Sequence, residues 1–365
     1  MKHSERTREN MKHSERTREN LIKHFLDYPK AQITDIFKYL HQSSLGCGHM
    51  VASEDGAIDY ISREHASMTE TKTAPIETLD GEYSRVSLSW LDGGLCAKTL
   101  GKLFFRSAKE EPDGKDALFS KLEIAKELVN SGKLPFSPDE FKRQLSEWQN
   151  KGFPAVHHSK EFRVEYAPAY RVIGNEYVKF LPLFSLIDKK LGEGSLTVAI
   201  EGGSASGKTT LSALLSDLYD CTVFHMDDFF LRPEQRTKQR LSEVGGNVDR
   251  ERFFDEVLLP LSEKKTVSYS PFNCGTQRLE PPITVEPKKL VIIEGAYSMH
   301  PSLAQFYDLS VFLRIEPKFQ KERILKRNTP TLANRFFDEW IPMEQKYFEN
   351  TNAAERCDMV IKITK

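Results

Sequence analysis

The chain has 365 residues, of which 39% are hydrophobic and 29% are charged, and its formal net charge is −1. A chain of this length and composition is expected to form two globular domains with buried cores. Because the net charge is close to zero, the chain has no basic field that would hold nucleic acid or an anionic membrane surface, and we expect neither as a partner.

Cysteine spacing and hydropathy indicate the compartment. The five cysteines lie far apart and none forms a C-x-x-C pair, which argues against a disulfide framework and against a thiolate zinc site. No apolar run approaches the length of a membrane span, and the charged N-terminus has no signal-peptide core. These features predict a cytoplasmic protein, either monomeric or a homo-oligomer.

The chain begins with a duplication. Residues 1–10, MKHSERTREN, recur unchanged at residues 11–20. A perfect repeat without a third copy is more typical of a start that was duplicated by cloning or by gene prediction than of a structural repeat. We therefore exclude the first copy from fold prediction.

Residues 11–188 predict a mainly helical N-terminal domain. Apolar residues recur at helical spacing in Ile33–Leu40 and in Leu118–Val129. The sequence SPDE at Ser137–Glu140 indicates a capping box with proline at the first helical position. The alternating pattern of YSRVSLSWL, residues 83–91, predicts a strand.

Two stretches of this domain are rich in polar groups. SSLGCGHMV at Ser43–Val51 places His49 in a predicted tight turn, and VHHSKEFRVEYAPAYRVIG at Val156–Gly174 contains the adjacent His157 and His158. The second stretch could form a polar pocket, a regulatory ligand site or a metal site. Because adjacent histidines point to different sides of a strand or a helix, both rarely bind one metal, and a polar surface over core tyrosines is the favoured interpretation. The residues assign no activity to this domain.

Residues 189–365 show a different pattern, in which short apolar strands alternate with helices. The predicted strands are LTVAI, CTVFHM, LVIIEG, LSVFLRI and DMVIKI. This alternation predicts a parallel sheet that is covered by helices on both faces. The polar segment KKLGEGS, Lys189–Ser195, is the predicted linker before the first strand.

A glycine-rich loop follows the first of these strands. Gly202–Thr209 has the sequence GGSASGKT, which matches the phosphate-binding pattern G-x-x-x-x-G-K-[ST] and opens a predicted helix. The glycines let backbone N–H groups converge on an anion, and the helix N-terminus adds about half a positive charge. Lys208 would reach the β- and γ-phosphates, and the Thr209 hydroxyl would ligate Mg²⁺. The alternative is a Gly/Ser turn with a chance lysine. The predicted nucleotide-binding residues are Gly202, Gly203, Ser204, Ala205, Ser206, Gly207, Lys208, Thr209 and Thr210.

Two carboxylates lie at the predicted ends of neighbouring strands. Asp227 in HMDDFFLRP follows the second strand, where open parallel sheets place ligands, and could accept a proton from an attacking hydroxyl or help to hold a metal ion. Glu294 ends the apolar strand LVIIEG, and a buried carboxylate there needs a partner such as Mg²⁺. The alternatives are a helix cap for Asp227 and an ion pair for Glu294. We predict Thr209, Asp227 and Glu294 as metal ligands.

Arginines near the C-terminus could offset charge on a transferred phosphoryl group. Arg323 and Arg327 in KERILKRN lie four residues apart on one helix face, and Arg335 is a third candidate. Two arginines at this spacing are also typical of a solvated helix face.

Four segments carry a family resemblance: GGSASGKTT, HMDDFFLRP, LVIIEGAYSMHP and RILKRN. In this order they resemble the uridine kinase and phosphoribulokinase family of P-loop kinases, over roughly Leu196 to Lys365. The resemblance implies a doubly wound α/β fold of the P-loop NTPase type, use of ATP and Mg²⁺, and phosphoryl transfer to a hydroxyl of a small metabolite. It also implies that Asp227 is the catalytic aspartate, that Glu294 lies near the metal, and that Lys208, Arg323 and Arg327 act on the phosphates.

The resemblance extends to the acceptor. YSPFNCGTQR at Tyr269–Arg278 lies where uridine kinases have a tyrosine–phenylalanine motif followed by histidine and arginine. The histidine is absent here, and NTPTLAN stands where the family has an Arg-Gly-Arg lid segment. The implied acceptor contacts are Asp228, Arg232, Tyr269, Phe272 and Arg278. A nucleoside is the expected acceptor, and a sugar, polyol or organic acid is the alternative.

A regulatory role is the competing class of function. A P-loop domain could report nucleotide levels to the N-terminal domain without any acceptor. The Asn-Lys-x-Asp segment of GTPase switches and the Leu-Ser-Gly-Gly signature of ABC-type ATPases are both absent. The presence of Lys208, Thr209, Asp227 and Glu294 favours an active kinase over a pseudokinase.

Overall fold

The computed structural model describes residues 2–48, 51–108 and 114–364, with side chains from residue 14 onward. The chain forms two compact units, Met1–Ser185 and Leu186–Lys365. Our predicted boundary lies at 188/189, with a linker at Lys189–Ser195. The linker prediction is wrong for Lys189 to Glu193, which are the last turns of a helix that begins at Leu181. The exposed Lys189 and Glu193 belong to the polar face of this amphipathic helix.

The N-terminal unit is mainly helical, as predicted, and contains one small antiparallel sheet of order β1-β2-β3. Its helices are α1 Lys2–Asp27, α2 Ile33–Leu45, α3 Glu54–Ser67, α4 Ala97–Ser107, α5 Gly114–Asn130, α6 Pro138–Asn150, α7 Lys160–Tyr166 and α8 Asn175–Val178, and α9 Leu181–Glu193 runs across the boundary between the two units. Its strands are β1 Ile76–Thr78, β2 Tyr83–Ser87 and β3 Tyr170–Gly174. Residues 2–10 of the excluded first copy lie within α1, which continues through the second copy without a break.

Helical periodicity predicted the core of this unit correctly. Four apolar residues of α2 are between 0 and 4% exposed: Ile33, Ile36, Phe37 and Leu40. Four of α5 are between 0 and 3% exposed: Leu118, Leu122, Ala125 and Val129. These two faces therefore supply part of the buried core.

Two local predictions need correction. The predicted strand ends at Ser87, because the Ser87 side chain accepts a hydrogen bond from the Ser89 backbone and starts a 3₁₀ turn, Leu88–Leu91. The helix predicted after Ser137 begins at Pro138, but its capping box does not form. Glu140 instead pairs with Arg143 at 2.6 Å on the exposed helix face.

The adjacent histidines of the N-terminal unit have different environments. His157 is exposed, whereas His158 is buried and contacts Asp35 through Nδ1 at 2.7 Å and the Tyr170 hydroxyl through Nε2 at 2.6 Å. Burial lowers the pKa of His158 to about 3, and the nearby cations Arg85 and Lys38 also lower it. His158 is thus a neutral core residue, and His49 of the other polar stretch lies outside the described residues.

We expect His158 to make the stability of the protein sensitive to acid. Below the ordinary histidine pKa of 6.5 the unfolded chain binds a proton at this position, whereas the folded chain does not until about pH 3. The free energy of unfolding should therefore fall by up to about 1.4 kcal/mol per pH unit between pH 6.5 and pH 5. The free energy of unfolding, measured by urea denaturation across this window, should change less steeply with pH in His158→Gln than in the wild type. In the matched control His157→Gln its dependence on pH should be unchanged. Equal slopes for both variants would contradict the assignment.

The C-terminal unit contains a five-stranded parallel sheet of order β12-β11-β4-β10-β5. The sheet strands are β4 Leu196–Gly202, β5 Cys221–His225, β10 Leu290–Glu294, β11 Leu309–Ile315 and β12 Met359–Ile363, as the five apolar segments predicted. Two small antiparallel pairs lie outside it: β6 Val267–Tyr269 with β9 Ile283–Val285, and β7 Phe272–Asn273 with β8 Arg278–Leu279.

Helices and tight turns connect these strands. The helices are α10 Lys208–Leu218, α11 Lys238–Ser242, α12 Arg250–Phe253, α13 Leu259–Ser262, α14 Pro317–Arg327, α15 Pro330–Arg335, α16 Ile341–Thr351 and α17 Ala353–Arg356. Turns of the 3₁₀ type lie at Met226–Phe229, Pro233–Gln235 and Ala304–Phe306, and π turns lie at Phe254–Leu258 and Phe336–Trp340. Among the described residues, no helix is both long and apolar enough to cross a membrane.

The strand order places β4 at the point where the chain reverses direction across the sheet. From β4 the chain adds β5 and β10 on one side and then β11 and β12 on the other. This is a doubly wound α/β fold, in which ligands bind beyond the carboxyl ends of the strands at the switch point. The glycine-rich loop follows β4 at this position.

Candidate active site

The glycine-rich loop connects β4 to α10 and depends on glycine at its first position. Gly202 has φ +150°, and a Cβ there would lie 2.7 Å from the Leu313 carbonyl oxygen and 2.9 Å from Ser206 Oγ. Gly207, with φ +101°, is the residue before α10. The first N–H groups of α10 have no partner within the helix, so they are available to an anion.

Two polar side chains of the loop lie in positions suited to an anion. Lys208 Nζ donates to the carbonyl oxygens of Gly202 at 2.8 Å and of Gly203 at 3.1 Å, which keeps the ammonium folded over the loop. The hydroxyl of Ser206 is buried and has no hydrogen-bond partner among the described residues. A buried polar group of this kind is costly unless a ligand or water satisfies it. This geometry fits the phosphate loop that the sequence predicts.

Glu294 contacts residues of two other elements at the carboxyl end of the parallel strands. It ends β10, where it pairs in register with Ile200 of β4 and His225 of β5. Its Oε1 accepts a hydrogen bond from the Thr209 hydroxyl at 3.2 Å and contacts His225 Nδ1 at 2.7 Å. Glu294 is only 5% exposed, and its hydrogen bond raises the pKa of His225. The structure thus places Thr209 and Glu294, two predicted metal ligands, in contact.

Asp227 lies in the 3₁₀ turn directly after β5. Asp227 is exposed to solvent, but many protein atoms lie around the carboxylate, and this desolvation raises the pKa of Asp227. The neighbouring charge of Glu294 raises this pKa further, whereas Lys208 lies close enough to lower it. Asp227 therefore shares one electrostatic environment with the phosphate-loop lysine and the strand-end glutamate, and it makes no side-chain hydrogen bond among the described residues.

Three of the five predicted acceptor contacts are in this region. The Tyr269 hydroxyl donates to Asp228 Oδ2 at 3.2 Å, and the Tyr269 ring stacks on Phe229 at 5.3 Å. Phe272 is 4% exposed. Arg252, which sequence analysis missed, donates to the Asp228 carbonyl oxygen at 2.7 Å.

The other two predicted acceptor residues do not contact this cluster. Arg232 Nε binds Gln235 at 3.1 Å, and its guanidinium lies 3.5 Å from Glu234. Arg278 is exposed on the β7–β8 hairpin, and its side chain makes no hydrogen bond or ion pair among the described residues. Their assignment as acceptor contacts stays a prediction.

Of the three predicted arginines, one contacts the phosphate loop. Arg323 Nη1 donates to the Ala205 carbonyl oxygen at 3.1 Å. Arg327 is exposed and unpaired among the described residues. Arg335 pairs with Glu339 at 3.2 Å and lies over the Trp340 ring at 4.9 Å. Of these three arginines, Arg323 is the one that hydrogen-bonds to the phosphate loop among the described residues.

Sequence analysis also missed two buried glutamates beneath the loop. Glu201 is fully buried and accepts hydrogen bonds from the backbone of Gly202 and Met299 and from the Tyr347 hydroxyl. Burial raises the pKa of Glu201 to about 7. Glu344 of α16 accepts hydrogen bonds from Ser204. The position of Glu201 directly before the loop could have suggested a role, whereas no sequence signal marks Glu344.

Residues 197–332 match the family model described as Phosphoribulokinase / Uridine kinase family. This part of the C-terminal unit is thus similar to the P-loop kinases of this family, which confirms the resemblance. The doubly wound parallel sheet confirms the predicted fold class. The family model does not extend to residues 1–196.

Individual relatives each match less than half of the chain. A uridine kinase of Macrococcus caseolyticus (strain JCSC5402) is 28% identical over 185 residues, which are 45% of this chain and 86% of the relative. A phosphoribulokinase of Synechocystis sp. is 26% identical over 148 residues, which are 39% of this chain and 44% of that protein. The structure of a possible uridine kinase from Bacillus stearothermophilus aligns with a TM-score of 0.37 and 22% identity, over 49% of this chain and 99% of the other.

Proposed function

We propose that the protein is an ATP-dependent kinase that transfers the γ-phosphate to a hydroxyl group of a small metabolite, with a nucleoside as the first candidate. The carrying observation is that the phosphate loop follows β4, Glu294 ends the neighbouring β10 and Asp227 directly follows β5, with Thr209 of the loop 3.2 Å from Glu294. A phosphate loop with a proton-accepting carboxylate beside it supports phosphoryl transfer. The family match supports the same class of reaction.

Magnesium is the cofactor that we propose for this site. The Thr209 hydroxyl and the Glu294 carboxylate lie 3.2 Å apart, and both offer the oxygen ligands that Mg²⁺ prefers. Mg²⁺ usually keeps several waters and needs few protein ligands, and Asp227 is the third ligand that we propose. When bound, the metal would offset charge on the β- and γ-phosphates.

A specific observation favours the second candidate, a sugar, polyol or organic acid. The rings of Tyr269 and Phe272 are 5% and 4% exposed, so they pack in the core and offer little face for a base to stack on. The polar groups of this cluster are the Asp228 carboxylate and the Tyr269 hydroxyl, which bind each other. Such groups suit hydroxyl recognition. The nucleoside stays first because two relatives of the kinase domain are uridine kinases.

An acceptor screen tests both candidates. We expect ADP release from MgATP to rise at least tenfold above the background when the true acceptor is present among nucleosides, sugars, polyols and small organic acids. The Lys208→Ala variant should show no such rise and serves as the control. ADP release that no acceptor stimulates would contradict the kinase proposal and favour the nucleotide-sensing alternative.

A further inference from the structure

Glu344 of α16 binds the phosphate loop at its third residue. Its Oε2 accepts a hydrogen bond from the Ser204 backbone N–H at 2.8 Å, and its Oε1 accepts one from the Ser204 hydroxyl at 2.6 Å. Glu344 is 5% exposed. Two hydrogen bonds from Ser204 to one buried carboxyl group fix both the backbone and the side chain of Ser204.

The carbonyl groups of the same loop segment are held by α14. Gln320 Nε2 donates to the Ser204 carbonyl oxygen at 2.9 Å, and Arg323 Nη1 donates to the Ala205 carbonyl oxygen at 3.1 Å. In a trans peptide the C=O and the following N–H point in opposite directions, so holding the Ser204 carbonyl directs the Ala205 N–H the other way. The two helices thus determine where the loop N–H groups point.

The loop needs this support because its backbone is strained. Ala205 has φ +60°, a left-handed conformation that costs energy for a residue with a Cβ. Such a conformation persists only when the surrounding contacts impose it. Glu344 and Gln320 bind the residue directly before Ala205, and Arg323 binds Ala205 itself.

The helix α16 also holds the base of the loop. Tyr347 lies one turn after Glu344, and its hydroxyl donates a hydrogen bond to the Glu201 carboxylate at 3.1 Å. Glu201 is the residue directly before Gly202. The side chains of Glu344 and Tyr347 are both buried on the same face of α16. The helix therefore contacts the residue directly before the phosphate loop and the third residue of the loop.

We propose that Glu344 is a positioning residue for nucleotide binding, which holds Ser204 so that the N–H groups of the phosphate loop converge on the ATP phosphates. This inference rests on the proposed function, since it assumes that the loop binds ATP. Glu344 itself need not touch the nucleotide. Its hydrogen bonds are what the loop requires, and its charge is not, because a carboxylate near phosphates is repulsive.

The test compares two substitutions at Glu344 in the full chain, with MgATP titrated in the absence of an acceptor. Glu344→Ala removes both hydrogen bonds to Ser204, and we expect the Kd for MgATP to rise about tenfold or more. Glu344→Gln keeps an acceptor for the Ser204 N–H and a donor for its hydroxyl, and we expect a Kd within about threefold of the wild-type value. This rescue distinguishes positioning from the loss of a charge.

The matched control is Glu349→Ala, an exposed glutamate on the same helix without a partner among the described residues. Its Kd should equal that of the wild type. If Glu344→Ala does not fold, Glu344→Asp replaces it, since the shorter side chain cannot make both contacts. Thermal midpoints without nucleotide show whether a rise in Kd merely follows lost stability.

Three outcomes would overturn the inference. An unchanged Kd in Glu344→Ala or Glu344→Asp would overturn it and leave the kinase proposal intact. A Glu344→Gln variant as weak as Glu344→Ala would show that the charge, and not the positioning of Ser204, is what matters. A wild-type chain that binds no MgATP would overturn both the inference and the proposed function.

Discussion

Lys208→Ala is expected to lower kcat for phosphoryl transfer by about 10²-fold or more, the largest loss from any single change outside the general base. Lys208 Nζ is held over the loop by the carbonyl oxygens of Gly202 and Gly203, so the ammonium lies at the loop that we propose to bind the β- and γ-phosphates. A mobile water cannot supply a fixed positive charge at this place. The measurement is acceptor-dependent ADP release under saturating MgATP.

The control for this variant is Lys321→Ala, which removes an exposed lysine of α14. It should retain the wild-type rate. Undiminished activity in Lys208→Ala would remove the phosphate loop from the mechanism, although the family match would remain.

Asp227→Asn is expected to lower kcat by about 10²- to 10⁴-fold while the affinity for MgATP stays within a few-fold of the wild type. The carboxylate is close enough to Lys208 for the ammonium to lower its pKa, and an amide cannot accept the proton of an attacking hydroxyl. Because the pKa of Asp227 is raised, the acid limb of kcat should lie at a higher pH than for an ordinary aspartate. Stopped assays of kcat across pH, with MgATP binding measured separately, test both statements.

Asp228→Asn separates this role from that of its neighbour. Asp228 accepts a hydrogen bond from Tyr269, so its loss should raise KM for the acceptor more than it lowers kcat. If Asp227→Asn instead weakens MgATP binding as much as it slows transfer, Asp227 acts mainly as a metal ligand.

The kinase domain was predictable because its signals are local. Five apolar strands, a glycine loop and the helix after it appear as continuous segments, since a strand that is buried on both faces must be apolar along its whole length. The loop glycines are recognisable because Gly202 and Gly207 have positive φ values that other residues rarely adopt. Asp227 and Glu294 were predicted from the strand pattern, and the structure places Asp227 in the turn after β5 and Glu294 at the end of β10.

Other features were hidden because the sequence also permits other local structures. The polar residues Lys189 and Glu193 suggested a linker, but the same residues suit the exposed face of α9. YSRVSLSWL alternates like a strand, yet the Ser87 hydroxyl starts a turn after only five strand residues. Hydrogen bonds of short polar side chains to the backbone compete with secondary structure in this way.

The amino-acid sequence alone determined the parallel α/β sheet and the glycine-rich loop after its first strand, and it predicted two carboxylates at strand ends, because each depends on residues a few positions apart. The folded chain decided the strand order, the neutral core role of His158, and the contact of Glu344 with Ser204, which are 140 positions apart. Contacts at such separations form only when distant segments pack together. A buried hydrogen bond between two distant residues leaves no periodic pattern in the sequence from which it could be predicted.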